Sequence, residues 1–299
     1  MYNGIVNVYK EAGFTSHDVV ARLRGICQQR KIGHTGTLDP QATGVLPVCL
    51  GSATKLCDML TDKDKEYVAE LLLGVRTDTQ DLTGRVLSEE NVNVSDEQVR
   101  EAVLSFVGTY DQIPPMYSAI KVNGKKLYEL ARQGKEIERK ARPVEIMEIE
   151  ILQIALPVVK LRVVCSKGTY IRTLVSDIGD RLGCGGTMKS LVRSRVGSFS
   201  IADALTLSQL EKLRDKEELD RVILPVDRVF EDCPALHVKA QSARLLENGN
   251  PLFPEDVRED AIPIVGQRVR MYTADERFAG IYAYDDTKKR YQPVKMFLQ

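Results

Sequence analysis

Several features that quickly assign a chain to a class of protein are absent from this sequence. The 42 Lys and Arg residues are balanced by 42 Asp and Glu residues, so the chain has no net charge with which to attract phosphate over a distance. None of the six cysteines forms a Cys-x-x-Cys pair, which argues against zinc and favours reduced core thiols in a cytosol. Any nucleic-acid site must therefore come from cations that are clustered locally.

Long apolar runs and cofactor motifs are missing as well. No apolar stretch approaches the roughly 20 residues that a membrane helix needs, and the N-terminal MYNGIVNVYK lacks the pattern of a signal peptide. The sequence contains no GxxxxGK(S/T) run, no Rossmann glycine pattern and no metal-ligand spacing. We therefore expect a cytoplasmic protein that binds neither a membrane nor a metal and needs no cofactor.

The composition of the chain is that of an ordinary globular protein. Its 299 residues, of which 43% are hydrophobic and 28% charged, suffice for one large domain and one small one. Helical and strand-like patterns alternate up to about residue 232, and short strands separated by polar turns follow. We predict an α+β domain over residues 1–232, interrupted by an insertion at about 113–143, and a small β-rich domain over residues 234–299.

The most distinctive stretch is KIGHTGTLDPQATG, which runs from Lys31 to Gly44 between a helix-like and a strand-like segment. Its three glycines and one proline suit a loop whose backbone closely approaches other groups. Asp39 is the only anionic side chain in it, and taken alone it has an ordinary explanation, since Asp before Pro often caps a turn. Ahead of the loop, Ser16 is the expected N-cap of a helix with an apolar face.

The insertion is the second unusual stretch. Residues 121–142 contain eight basic and three acidic side chains, a local net charge of +5. Tyr117 and Tyr128 alternate with these cations, as aromatic residues often do in RNA-contacting elements, although a solvated helical hairpin is the alternative. We predict that the insertion is mobile without RNA and that it binds phosphates through four cations: Lys125, Lys126, Arg139 and Lys140.

Taken together, these motifs resemble those of a known enzyme family. The run GHTGTLDPQATGVLPVCLGSATK resembles the catalytic signature of the TruB family of tRNA pseudouridine-55 synthases. The resemblance extends to TDTQDLTG, to CSKGTYIRTLVSDIG and, less specifically, to C-terminal motifs similar to an RNA-binding PUA domain. One departure is Lys10-Glu11-Ala12-Gly13, where the family has Lys-Pro-x-Gly. The resemblance implies a pseudouridine-synthase fold, with a mixed, largely antiparallel sheet and flanking helices, plus a PUA-like domain.

The resemblance also implies roles for individual residues. Asp39 would be the catalytic carboxylate, Arg172 its charged partner, and Tyr67 the aromatic ring against the target base. His34 would fill the gap left when that base is flipped out of the RNA, and Leu191 would pack beneath the site. Without the resemblance, we would interpret Tyr67 as an amphipathic residue in the wall of the domain and His34 as a hydrogen-bonding partner of the backbone. Two further lysines complete the predicted RNA-binding set: Lys10 and Lys55.

The implied activity is the isomerisation of a flipped-out uridine in the T loop of tRNA, by a monomer that requires no protein partner. Asp39 could act as a nucleophile at C1′ or at the uracil C6, or as a base at C2′, and the sequence leaves these routes open. One alternative function is the catalytic subunit of a guide-RNA pseudouridylation particle, although the long basic tails of such subunits are absent. The other is a non-catalytic tRNA-folding factor, which would not need Asp39, Tyr67 and Arg172 together.

Overall fold

The computed structural model describes residues 1–118, 120–122, 124–260 and 262–298. Helices span Ser16–Cys27 (α1), Cys57–Thr61 (α2), Asp96–Leu104 (α3), Leu127–Arg132 (α4), Ile171–Arg181 (α5), Leu207–Asp215 (α6) and Ala243–Glu247 (α7). Strands span Gly4–Lys10 (β1), Ile32–His34 (β2), Thr43–Leu50 (β3), Lys65–Leu73 (β4), Val75–Thr77 (β5), Val86–Glu89 (β6), Gly108–Gln112 (β7), Lys121–Val122 (β8), Lys125–Lys126 (β9), Arg142–Ala155 (β10), Val158–Cys165 (β11), Gly186–Val196 (β12), Phe199–Ser200 (β13), Ala235–His237 (β14), Arg268–Tyr272 (β15), Phe278–Asp285 (β16) and Arg290–Met296 (β17).

A nine-stranded sheet organises the larger part of the chain. Its main path runs β1-β3-β12-β4-β11-β10-β7, with β2 added to β3 and β13 added to β12. The described pairs in this sheet are antiparallel except for β3 with β12, which run parallel. The parallel contact places the strand that leaves the Asp39 loop beside β12, which makes β3, β12 and β4 the central strands under the loop.

Helices cover the sheet because each has one apolar side. In α1, buried residues recur at Val19, Val20, Leu23 and Ile26, and they belong to one hydrophobic cluster with residues of β1 and β3. In α5, buried residues in the first turns belong to the cluster that contains Ala69 and the other inward side chains of β4. No helix in the described ranges is both long enough and apolar enough to cross a bilayer.

The N-cap of α1 is Thr15 and not Ser16, which corrects the prediction by one residue. The Thr15 side chain accepts a hydrogen bond from the Asp18 N–H at 3.1 Å, and the Asp18 carboxylate accepts one from the Thr15 N–H at 2.8 Å. This reciprocal capping box requires an acidic or amide side chain three residues after the cap, and Asp18 meets that requirement for Thr15. The hydroxyl of Ser16 is therefore free for another partner.

The C-terminal part contains a separate four-stranded sheet, in the order β14-β15-β16-β17. It has its own hydrophobic cluster, but it also packs on the first part, where Phe278 and Phe297 stack at 5.5 Å beside Phe230. The Tyr272 hydroxyl donates a hydrogen bond to Asp227 at 2.8 Å across the same contact. The domain boundary near residue 233 and the PUA-like character of this part stay predictions.

The predicted insertion leaves the sheet after β7 and returns in β10. Between them lie the short hairpin β8–β9 and the helix α4. Leu127 is buried, with 1% of its surface exposed, whereas most side chains that follow it up to residue 140 are exposed or half-buried. The part of the insertion that follows Leu127 is therefore largely exposed to solvent.

Candidate active site

The loop that carries Asp39 is held from one side by helix α1. The Leu38 N–H donates a hydrogen bond to the Ser16 hydroxyl at 2.9 Å, and that hydroxyl faces the Leu38 carbonyl at 3.4 Å. Within the loop, the Ala42 N–H donates to the Asp39 carbonyl at 3.1 Å. Leu38, the residue before Asp39, is thus fixed by the Ser16 hydroxyl, which takes no part in the Thr15–Asp18 capping box.

Two buried cations hold the loop from below by its carbonyl oxygens. The Lys10 ammonium group donates to the Pro40 carbonyl at 3.0 Å, and the Arg193 guanidinium donates to the Gly36 carbonyl at 3.2 Å. Lys10 has 0% of its surface exposed and Arg193 has 2%. These contacts fix the backbone on both sides of Asp39 and so limit the positions that its carboxylate can take.

The Asp39 carboxylate meets Arg172 in a two-point contact. Nε of Arg172 lies 3.0 Å from Oδ2 of Asp39, and Nη2 donates to Oδ1 at 3.2 Å. The remaining donors of the guanidinium reach the Thr79 carbonyl at 3.0 Å, the Tyr117 carbonyl at 2.9 Å and the Asp81 carboxylate at 3.5 Å. Arg172 is 6% exposed in its side chain, so it forms a buried junction between the Asp39 loop, residues 79–81 and the insertion.

The ionisation of Asp39 is set by opposing influences. Burial raises the pKa of its carboxyl group above the ordinary value of 3.8, the Arg172 charge lowers it, Asp81 raises it and Lys10 lowers it. The side chain nevertheless keeps 36% of its surface exposed to the cleft. The site therefore presents a desolvated but reachable carboxylate, which suits either a nucleophile or a base.

Tyr67 lies in β4 beneath the loop. It is 8% exposed, pairs with Arg193 across the β4–β12 ladder, and belongs to the same hydrophobic cluster as Leu38 and Leu191. Burial raises the pKa of its hydroxyl, and the adjacent Arg193 guanidinium opposes that shift. The structure therefore brings Tyr67 and Leu191 together under Asp39, while their contact with a base stays a prediction.

His34 is placed at the start of the loop. Its Nδ1 accepts a hydrogen bond from the Gly36 N–H at 3.3 Å, which leaves the proton of the neutral ring on Nε2. Burial lowers the pKa of His34, as do the charges of His17 and Arg193. The His17 ring stands edge-on to it at 6.0 Å. Both the expected backbone bond and the position at the cleft are present, and the base-replacing role of His34 stays a prediction.

Two of the predicted RNA-binding lysines have other partners in the structure. Lys10 has no exposed surface, and its ammonium group donates to the carbonyls of Glu11, Phe14 and Pro40, so we correct its role from RNA contact to support of the loop. The sequence could not show this, because residues 11–14 and 40 come together only in the fold. Lys55 is exposed, and it donates to the Met296 carbonyl at 2.8 Å, so it links the C-terminal strand to the first part.

The four predicted cations of the insertion differ in their surroundings. Lys125 and Lys140 are exposed. Lys126 lies over the Tyr128 ring at 5.4 Å. Arg139 donates to the Pro114 carbonyl at 3.1 Å and pairs with Glu136, so it ties the end of the insertion to its beginning. The three lysines thus remain candidates for phosphate contact, and Arg139 also has a structural task.

Sequence reasoning missed Asp81, Arg193 and His17 as parts of the site. Asp81 stands in the TDTQDLTG motif, and its place beside Arg172 depends on a contact between residues far apart in the chain. Arg193 had no local signal, since a cation on a strand usually faces solvent. In the described part of the chain, no cluster of three or more His, Cys, Asp or Glu could hold a metal ion.

The sequence matches two family models. One is described as the TruB family pseudouridylate synthase N-terminal domain and covers residues 24–171, and the other as the tRNA pseudouridylate synthase B C-terminal domain, over residues 172–231. A tRNA pseudouridine synthase B of Lachnoclostridium phytofermentans is 54% identical over 99% of this chain and 100% of its own length. Another, of Alkaliphilus oremlandii, is 47% identical over 99% of this chain and 98% of its own length.

Solved structures show the same arrangement of strands and helices. One is an H/ACA ribonucleoprotein bound to a substrate RNA containing 2′-deoxyuridine, with a TM-score of 0.73 and 25% identity over 99% of this chain and 85% of that chain. A Cbf5–Nop10–Gar1 complex gives a TM-score of 0.73 and 27% identity over 98% of this chain and 84% of that chain. With the sheet topology, these likenesses confirm the predicted α+β fold with a mixed, largely antiparallel sheet and a small β-rich C-terminal part.

Proposed function

This chain belongs to the TruB family of pseudouridylate synthases, and from that premise we propose that it is a tRNA pseudouridine synthase, an isomerase that acts on a uridine of the T loop, position 55. The observation that supports the assignment best is the two-point contact of Arg172 with Asp39 in a cleft above Tyr67. A protein that only folded tRNA would have no use for a desolvated carboxylate held in this way.

The reaction breaks the bond between N1 of uracil and C1′ of the ribose, turns the base and rejoins it through C5. Its balance requires neither an oxidant nor an energy source. Asp39 acts as the nucleophile at C1′ or C6, or as the base that removes the C2′ proton, and each route requires the ionised carboxylate. Arg172 keeps that carboxylate ionised and oriented, and Tyr67 supports the base while it is detached.

Recognition of the RNA falls to groups around the cleft. The target base leaves its stack, and His34 occupies the space that it vacates. Lys125, Lys126 and Lys140 contact the phosphates of the T arm as the insertion closes over it. The C-terminal part, linked through Lys55 and the Phe230 cluster, adds affinity and no chemistry. The enzyme works in the cytoplasm as a monomer, without a protein partner.

Conversion of an unmodified transcript tests this proposal directly. Purified full-length protein is incubated with an in vitro transcribed tRNA, without any other RNA or protein, and the nucleosides are analysed by mass-resolved chromatography after derivatisation of pseudouridine. One pseudouridine per tRNA is expected, and it should disappear when the target uridine is replaced by cytidine.

The same assay separates the alternatives. The fold likeness to H/ACA complexes favours a guide-dependent enzyme as the second candidate, and such an enzyme would modify the transcript only after a guide RNA is added. A folding factor would bind the tRNA and leave its nucleosides unchanged. Absence of product from folded, tRNA-bound protein would refute the proposed function.

A further inference from the structure

Arg193 is a buried cation in the centre of the sheet. It has 2% of its surface exposed and is among the largest fully buried side chains of the protein. Buried charges are normally paired with an opposite charge, because leaving water is unfavourable for an ion. Among the residues that the structure describes, no carboxylate forms an ion pair with Arg193, and its side-chain hydrogen bonds go to backbone carbonyls. A charge kept in this way calls for an explanation beyond packing.

The contacts of Arg193 join separate parts of the active site. Its Nε donates to the Val45 carbonyl at 2.7 Å, at the start of β3, and its Nη2 donates to the Gly36 carbonyl at 3.2 Å, in the Asp39 loop. It pairs with Tyr67 in the β4–β12 ladder, so the two side chains leave neighbouring strands side by side, and its charge opposes the rise that burial causes in the pKa of the Tyr67 hydroxyl. One planar group therefore binds the loop ahead of Asp39 and the strand after it, and it does so from a position beside Tyr67.

We propose that Arg193 is a positioning residue for the isomerisation, and that it acts by holding the Tyr67 ring at a fixed place relative to the Asp39 loop. This inference rests on the proposed function, in which the ring supports the uracil while the carboxylate reacts. A base that is detached from its sugar must turn and rejoin at a new atom, so an error in the distance between ring and carboxylate affects both bond-breaking and bond-making.

The chemistry of arginine suits this task better than that of lysine. A guanidinium only donates hydrogen bonds, so in a hydrogen bond with Tyr67 the phenol oxygen would be the acceptor and the phenol proton would be directed elsewhere. Its N–H groups lie in one plane and donate to carbonyls in fixed directions, whereas a lysine has a compact charged group at the end of a flexible side chain. Arg193→Lys thus keeps the charge and removes the geometry, which makes it the informative substitution.

Single-turnover kinetics of Arg193→Lys test the proposal. At saturating tRNA the rate of pseudouridine formation should fall by about tenfold or more, while the Kd for tRNA stays within about threefold of the parent value. Arg195→Lys is the matched control, because Arg195 lies two residues along the same strand but is partly exposed and paired with Asp64 at 2.7 Å. It should keep a rate within about twofold of the parent.

A double-mutant cycle with Tyr67→Phe distinguishes positioning from general support of the fold. If Arg193 acts through the Tyr67 hydroxyl, the loss of rate caused by Arg193→Lys should be several times smaller in the Tyr67→Phe background than in the parent. Losses that simply multiply, or a rate of the single variant within twofold of the parent, would overturn the proposal. If the parent enzyme makes no pseudouridine, it is the proposed function that fails.

A spectroscopic measurement covers the case in which no Arg193 variant folds. In full-length protein labelled with ¹⁵N-arginine, the buried Nε–H of Arg193 should exchange slowly with water, and its resonance should move in Tyr67→Phe. Tyr9→Phe, a substitution in β1, serves as the control and should leave that resonance in place. If the slowly exchanging arginine resonances were identical in the parent and in Tyr67→Phe, Arg193 would not interact with the Tyr67 hydroxyl. The inference would then fail.

Discussion

The Asp39 loop and the insertion are both polar segments at the same cleft, but they are held in opposite ways. In the loop, Ser16, Lys10 and Arg193 bind the backbone on both sides of Asp39 from buried positions. In the insertion, side-chain contacts are mostly local, as between Lys126 and Tyr128. Under the proposed function, we therefore expect the chemistry to depend on the well-anchored loop and RNA recognition to depend on the loosely held insertion.

The two segments also use positive charge differently. Burial lowers the pKa of Lys10 from 10.5 to about 8, so its charge is kept at a cost that the three carbonyl contacts offset. Lys125 and Lys140 are exposed to water, and a lysine that neutralises a phosphate releases the cations condensed on the nucleic acid there. Substitutions in the loop should therefore change rates, and substitutions in the insertion should change affinity and its dependence on salt.

The largest effect is expected from Asp39→Asn. The change preserves size and hydrogen bonding but removes the charge and basicity, so turnover should fall by roughly a thousandfold or more while folding and tRNA binding persist. Pseudouridine analysis, circular dichroism and tRNA binding check the three parts of this statement. Asp62→Asn, at an exposed position paired with Lys167, is the control and should be fully active. If Asp39→Asn still formed pseudouridine, with contamination by the parent enzyme excluded, Asp39 would not be the catalytic carboxylate.

Arg172→Lys should produce the next largest effect. A lysine keeps one charge, but it cannot reach Asp39 at two points and the Thr79 and Tyr117 carbonyls as well, so we expect a loss of about a hundredfold in the single-turnover rate. Arg181→Lys, at the exposed last turn of the same helix, is the matched control. A fully active Arg172→Lys enzyme would reduce the guanidinium to a structural role.

The pH dependence of the single-turnover rate tests whether Arg172 lowers the pKa of Asp39. Burial raises the pKa of Asp39, and Arg172 opposes that shift. Since the proposed reaction needs the ionised carboxylate, activity should be present above this pKa and be lost as the pH falls through it. Removal of the cation in Arg172→Gln should raise the pKa further, so the acid limb of the single-turnover rate should move to higher pH. If the acid limb of the pH–rate profile did not move, a group other than Asp39 would control it.

Neutralising the insertion should change binding more than chemistry. With Lys125, Lys126 and Lys140 all replaced by Gln, the slope of log Kd against log salt should flatten by roughly two to three, if each lysine neutralises one phosphate. The rate at saturating tRNA should change little. Lys212→Gln with Lys216→Gln, in and just after α6, is the control on another surface.

Limited proteolysis adds a structural readout to that experiment. Trypsin should cut the free protein first between residues 124 and 142, and tRNA should protect these sites. Equal cutting with and without tRNA, together with an unchanged salt slope in the triple variant, would identify the insertion as a fixed surface element with a solvated charge.

The smallest effect is expected from Lys55→Ala. Since Lys55 binds the Met296 carbonyl, its loss should lower the free energy of unfolding by about 1 kcal/mol or less and leave the salt slope of tRNA binding unchanged. Urea unfolding and tRNA titrations at several salt concentrations measure both quantities. A flatter salt slope would instead support the prediction from the sequence that Lys55 contacts RNA.

Local patterns were sufficient to predict the main helices. The apolar side of α1 repeats at helical spacing, and the buried side chains of α5 do the same, so each helix was readable without knowledge of its partners. The pairing of Asp39 with Arg172 is different, because 133 residues separate them in the chain. Only the resemblance of two motifs to one family connected them, and no periodicity could have done so.

Arg193 shows why part of the site was not predictable. Residues two apart on a regular strand share a face, so Arg193 and Arg195 should have had the same exposure. The β4–β12 ladder shifts register between them: Arg193 pairs with Tyr67, while Arg195 pairs with the next residue, Glu66. A bulge of this kind re-aims a side chain without leaving a mark in local composition. Lys10 was missed for a different reason, since its three carbonyl partners come from the turn directly after its strand and from the distant Asp39 loop.

Arg172 reaches the insertion through the main-chain carbonyl of Tyr117, a group that every amino acid supplies. The side chain at position 117 can therefore vary, whereas the number of residues between positions 112 and 117 cannot. Gln112 is the fixed end of this segment, because its side-chain amide forms hydrogen bonds of 2.8 and 3.0 Å with the backbone of Tyr170. One residue gained or lost there would offer Arg172 a different carbonyl. Redesign of this enzyme for another RNA should accordingly vary side chains beyond Gly124 and leave the length of residues 112–117 untouched.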